Sequence, residues 1–140
     1  MRLTPTYLYC APVFAVFWHA DKSVYQQQTS LKIAKIMAGL STPDRKQQWF
    51  QACLYILNRH WDKVDNFRID KFLALLRCMF AQVLEYLKEV EYAKETVEWL
   101  QGILDKLFAD SLSAQGISLQ ICDVFVPELG KVDKDGVSLD

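Results

Sequence analysis

Between Ile69 and Leu87 the chain reads IDKFLALLRCMFAQVLEYL, and its apolar residues recur at i, i+3, i+4 and i+7. On a helical wheel Ile69, Phe72, Leu73, Leu75, Leu76, Met79, Phe80, Val83, Leu84 and Leu87 fill an arc about 180° wide. That is broader than a helix lying on a surface needs, so this one is packed on more than one side. It belongs in the middle of a stack. No stretch of the chain shows sustained period-two alternation, which makes the fold class all-α.

The same spacing extends to the neighbours. A first helix covers Thr6 to Trp18, disturbed by Pro12. Asp21 is placed to cap a second, KSVYQQQTSLKIAKIMAG, which presents Val24, Leu31, Ile36 and Met37 and closes near Gly39. Thr42 as N-cap, Pro43 at the first helical position and Asp44 at the positive end of the dipole open a third. It carries Trp49, Phe50, Cys53, Leu54 and Leu57 and runs out near His60. Asp65 or Asn66 caps the fourth, which reaches about Val90. A fifth, from about Lys94 to Phe108, buries Val97, Leu100, Ile103, Leu104 and Leu107. After the loop DSLSAQG, a sixth helix presents Ile117, Ile121, Val124, Phe125 and Leu129, and Pro127 is expected to kink or shorten it.

Short connections make neighbouring helices antiparallel. Helices one and two, three and four, and five and six then form hairpins with a period of about forty residues. That period suits a HEAT- or armadillo-like right-handed array of about six helices; a compact irregular bundle is the alternative. The 140 residues suffice for one domain, read here as 1–132 with a frayed acidic tail over 133–140.

Charge is distributed unevenly. From Lys22 to Arg77 ten basic residues face four acidic ones, whereas from Glu85 to Asp140 five basic residues face twelve acidic ones. The asymmetry reads first as solvated helix faces that differ in sign. The functional alternative is a basic edge for RNA or an acidic partner and an acidic edge that docks elsewhere, although a net charge of −1 argues against strong nucleic-acid binding. Cys10, Cys53, Cys78 and Cys122 are scattered among apolar neighbours with no CxxC spacing, and are read as buried thiols with no zinc site. The apolar stretch Leu8 to Trp18 is too short to span a bilayer and lacks the flanks of a secretory signal.

The densest chemistry lies in HWDKVDNFRIDKFLALLR, His60 to Arg77. Arg68 falls inside the apolar arc, between the directions of Leu75 and Met79, so it must snorkel or pair with a carboxylate. Asp65 is the nearest candidate, with Asp21 another, which makes Trp61, Asp65 and Arg68 a structural corner. Lys71 is expected to face water. With Asp70, Arg77, Asp21 and Lys22 it forms the candidate surface for a partner or RNA. Nothing in the stretch reads as catalytic. Cys53 and His60 share a helix face but stand about 10 Å apart along the backbone, too far for an easy dyad. Asp62 and Asp65 sit beside lysine and arginine, as ion-paired carboxylates do. His19 reads as a helix-end residue, and there is no HExxH, phosphate loop or GxGxxG. No cofactor, metal or small-molecule substrate is expected, so a small Cys/His hydrolase is the weakest reading and a generic HEAT-like adaptor the stronger alternative.

Three segments, FWHADK, then WFQACLYILNRHWDKVDNFRIDKFLALLR, then GISLQICDVFVPELGKV, resemble in that order the nucleolar ribosomal-RNA-processing protein 1 family. The elements of that resemblance are Trp18, Asp21 and Lys22; Trp61, Asp65, Arg68, Asp70, Lys71, Phe72 and Arg77; and Gly116, Ile117, Leu129, Lys131 and Val132. It spans about Thr4 to Val132, and the central block is the specific part. The resemblance implies a nucleolar, non-enzymatic helical-repeat protein that joins large-subunit precursor particles through pre-ribosomal proteins. Family members usually carry a further basic helical segment upstream and long basic tails, which these 140 residues lack. Contact with rRNA by this stretch is therefore expected to be weak.

Overall fold

The computed structural model describes residues 5–109 and 115–132, with side chains from Ala11 onward except those of Ser23 and Gln115. The described residues form six α-helices: α1 (Pro5–Trp18), α2 (Ser23–Gly39), α3 (Pro43–His60), α4 (Ile69–Glu89), α5 (Lys94–Ala109) and α6 (Gln115–Val132). A single 3-10 turn, Trp61–Lys63, follows α3. The acidic tail 133–140 and the α5–α6 loop, 110–114, lie outside the described residues.

The start of α3 follows its sequence signal. Thr42 Oγ1 accepts the Arg45 N–H at 3.2 Å, Pro43 begins the helix and Asp44 sits in its first turn. The second helix starts differently from expectation: Lys22, not Asp21, is its N-cap residue, and no side chain caps it. Pro127 neither ends nor shortens α6, which continues to Val132. The proline removes the donor for the Asp123 carbonyl, but Asp123 and Pro127 are both exposed, so this loss falls on the solvent side of the helix.

Alternate helices make the most extensive contacts: α1 lies on α3, α2 on α4, and α4 on α6. The fourth helix thus has a helix on either side, as its wide apolar arc requires. Phe72, Leu76, Phe80, Val83 and Leu84 are all at most 1% exposed and join Phe17, Phe50 and Ile117 in one continuous core. The buried face of α2 is Ser30, Ile33, Ala34 and Met37, while Val24, Leu31 and Ile36 face outward. In α5, Val97 is also exposed.

Lysines reaching across from other helices close several helix C-termini, where carbonyls lack intrahelical donors. Lys46 Nζ donates to the Met37 and Ala38 carbonyls at 3.1 Å, and Lys88 Nζ to the Val132 carbonyl at 2.7 Å. A positive charge at the negative end of the helix dipole strengthens each contact.

Candidate functional site

The fourth helix begins later than its apolar pattern suggests. Asp65 folds the chain into a tight turn: its Oδ1 accepts the Phe67 and Arg68 N–H groups, each at 3.0 Å. Its carbonyl accepts the Arg68 and Ile69 N–H groups at 3.1 Å. Arg68 is therefore the N-cap residue of α4 and not an interior position, so the wheel does not apply to it. Its guanidinium pairs with Asp65 Oδ2 at 2.5 Å and lies over the Trp18 ring, 5.2 Å from the centroid. The Asp65–Arg68 pair expected from sequence is present, but its side chains are 43% and 34% exposed, so the corner is half-open to water. The indole that covers it comes from Trp18 at the end of α1.

Lys71 does not face water. It is 5% exposed, and its Nζ donates to the Trp18 carbonyl at 2.6 Å and the Ala20 carbonyl at 2.8 Å. The Ala20 carbonyl also accepts from Gln26 Nε2 at 2.8 Å. The ammonium stands 5.4 Å from the centre of the Phe17 ring and 5.6 Å from that of Phe72. Lys71 lies about 40° outside the Leu75 edge of the arc, so its long stem runs along the helix border. In the first turn of α4, that border meets the C-terminal end of α1. Burial lowers its pKa, the charge of Arg68 lowers it further, and Asp21 and Asp65 raise it. Phe72 packs edge-on to Phe17 at 5.2 Å and against Trp18 at 5.5 Å. FWHADK and FRIDKF thus form one joint between α1 and α4.

Two turns further along α4, Arg77 Nε donates to Glu128 Oε1 at 2.5 Å, and Lys131 Nζ lies 3.3 Å from the same oxygen. The Glu128 side chain is 7% exposed and that of Arg77 45%. Burial pushes the Glu128 carboxyl up, but hydrogen bonds from Arg77 and Lys131 and the charges behind them outweigh it, and the pKa falls below the usual value. Gln120 Nε2 adds a bond to the Leu73 carbonyl at 3.2 Å. This second joint holds α6 on α4.

The third contact involves Trp61 and Gly116. A Cβ at position 116 would lie 2.7 Å from Trp61 Nε1 and 3.2 Å from its Cε2, so glycine is what lets the indole lie against α6. Elsewhere in a helix Gly→Ala is stabilising by roughly 1 kcal/mol. Here the rigid ring must move, and Gly116→Ala is expected to destabilise by about 1–2 kcal/mol in urea melts. Combining it with Trp61→Leu, which removes the ring, should recover most of that loss.

Asp21, Lys22 and Asp70 are exposed, whereas Lys71 and the partner carboxylate of Arg77 are not. A groove of about 350 Å³ beside the corner is lined by Ala11, Phe14, Ala15, Trp18, His19, His60 and Lys63. His60 stacks on Phe14 at 5.8 Å, and burial, followed by the charges of Lys63 and Arg59, lowers its pKa. Cys53 is buried, Cys78 is half-buried and Cys122 is exposed, so the expectation of uniformly buried thiols fails at Cys122; the side chain of Cys10 lies outside the described residues. Among the described residues no group of three His, Cys, Asp or Glu side chains is placed to hold a metal, and no helix is long and apolar enough to cross a membrane.

Residues 10–139 match the family described as nucleolar protein, Nop52. The chain belongs to the Nop52 family. It is 26% identical over 130 residues to the human ribosomal RNA processing protein 1 homolog A, covering 91% of this chain and 28% of that protein. The mouse homolog A is 27% identical over 122 residues, covering 86% of this chain and 25% of that protein. The Dictyostelium discoideum ribosomal RNA processing protein 1 homolog is 26% identical over 140 residues, covering 86% and 28%. The chain therefore spans about a quarter of the length of these Nop52 relatives. All three segments of the sequence resemblance lie largely within the matched range, and the structure joins each to another. Glu128 was missed by sequence reasoning although a signal existed. It shares a helical face with Ile121, Val124 and Val132, all buried, and an acid on such a face needs a cation.

Proposed function

We propose that this chain is a non-enzymatic helical scaffold of nucleolar pre-ribosomal particles, needed for rRNA processing and large-subunit biogenesis. The observation that carries this reading is how its motif side chains are used. Lys71, Arg77, Arg68 and Asp65 join one helix to another or fix the turn between helices. The names of the relatives support a part in rRNA processing, and the family description supports a nucleolar location. An array of six packed helices suits a protein that presents long surfaces to partners.

Protein contacts are the main mode of attachment in this reading. Of the ten basic residues between Lys22 and Arg77, Lys46, Arg68, Lys71 and Arg77 already hold carbonyls or carboxylates within the chain. The remainder can neutralise few phosphates, and the acidic second half opposes RNA accumulation. RNA binding by the chain is therefore expected to be weak and to fall steeply between low and physiological salt, as measured by filter binding or anisotropy. Affinity purification of the tagged chain from nucleolar extract tests the larger reading. Recovery of large-subunit precursor proteins together with precursor rRNA is the expected outcome. Recovery of small-subunit precursors, or of no ribosomal precursor, would overturn it in favour of an unrelated adaptor.

A further inference from the structure

Phe67 is 95% exposed, the most exposed of the large hydrophobic side chains among the described residues. It stands in the middle of the central motif, between Asn66 and the helix-capping Arg68. Its backbone is held tightly. The Phe67 N–H donates to Asp65 Oδ1, the next N–H donates to the same atom, and the Arg68 guanidinium ties the other carboxylate oxygen to the Trp18 ring. The turn is therefore made by Asp65 and its backbone partners, and any side chain at position 67 would serve it. A phenylalanine there leaves its whole apolar surface in water, without benefit to this fold.

We propose that Phe67 is a preorganised anchor that inserts into an apolar pocket of a protein partner. A fixed turn presents the ring at little cost in ordering, which is what a central aromatic contact of an interface needs. The surrounding charges select the class of partner. Asp65 is matched by Arg68, whereas Asp62 and Asp70, both exposed, form no ion pair among the described residues. Lys63 is the remaining exposed cation of the segment 61–70. Unpaired carboxylates that flank Phe67 along the chain repel a phosphate backbone and match a pocket rimmed by lysine or arginine. The partner is thus a protein with an apolar pocket and a basic rim, not RNA. The inference rests on the scaffold reading for which particle supplies that protein, but not for the anchor itself.

The test uses the full chain with Phe67→p-benzoylphenylalanine, expressed in cells and photo-crosslinked, and the same probe at exposed Gln28 as the control. A crosslink specific to position 67, mapped to an apolar segment of one identified protein, is expected. Binding of that purified protein should then weaken about 10- to 100-fold on Phe67→Ala and be largely kept by Phe67→Leu, with the melting temperature unchanged in both. A crosslink to RNA, one no stronger than at position 28, or a loss below threefold on Phe67→Ala would overturn the proposal. The scaffold reading can fail separately. A partner that depends on Phe67 but belongs to no ribosomal precursor leaves the anchor standing and removes the particle. Co-purification with precursors that is indifferent to Phe67→Ala does the reverse.

Discussion

Replacing Lys71 with alanine is expected to cost about 2–4 kcal/mol in urea unfolding, a large share of the stability of a domain this size. The ammonium makes two short charge-assisted bonds to the Trp18 and Ala20 carbonyls inside an aromatic cage of Phe17 and Phe72. Hydrogen bonds to a charged group contribute about 1.5–3 kcal/mol each, and a buried carbonyl left without a donor adds its own penalty. Gln26 still serves the Ala20 carbonyl, which keeps the loss below the sum. Lys71→Met separates the causes: it retains the stem and removes the donors, so it should lose nearly as much. Arg68→Ala is expected to cost at most about 1 kcal/mol, because the Asp65–Arg68 pair is 43% and 34% exposed and water replaces either partner. The order of the two variants is opposite to the one the helical wheel suggests. Equal melts for Lys71→Ala and the parent protein would refute the assignment.

The second large effect is asymmetric. Arg77→Ala should destabilise by about 2 kcal/mol, because it strips the main donor from a carboxylate whose side chain is 7% exposed. Glu128→Gln should cost about 1 kcal/mol, because the amide oxygen still accepts from Arg77 and the guanidinium, 45% exposed, is hydrated. The pH dependence follows from the direction of the Glu128 shift. Its folded pKa lies below the ordinary 4.5, so the folded state holds its proton less tightly than the unfolded chain. The resulting stability is fully present above that value and is lost as pH falls through the folded pKa. In Arg77→Ala burial faces Lys131 alone, the folded pKa rises and the acid-side loss shrinks. Urea titrations between neutral pH and pH 3 read both outcomes. A variant with the same acid slope as the parent would show that Arg77 does not hold Glu128.

Much of the fold could be read from residues close together in the chain. The apolar arc of Phe72 to Leu87 dictated a helix buried on two sides, and α4 has α2 and α6 against it. Thr42, Pro43 and Asp44 marked a helix start that the structure keeps. The central motif, with its flanking segments, was enough to indicate the family. These are local properties, set by periodicity and capping within one turn or one helix. The destination of each charge is not local. Lys71 meets Trp18 across 53 positions and Arg77 meets Glu128 across 51, so neither partner can be seen from the helix that carries the cation. A wheel assigns a side chain to a direction, but whether that direction holds water, a carbonyl or a carboxylate depends on which helix ends the fold brings there. For the same reason Arg68, placed in the core by spacing, lies half-open at a turn, because Asp65 starts the helix one residue after it. Lys71, placed in water by spacing, is buried because the carbonyls of Trp18 and Ala20, at and just past the end of α1, arrive at its tip.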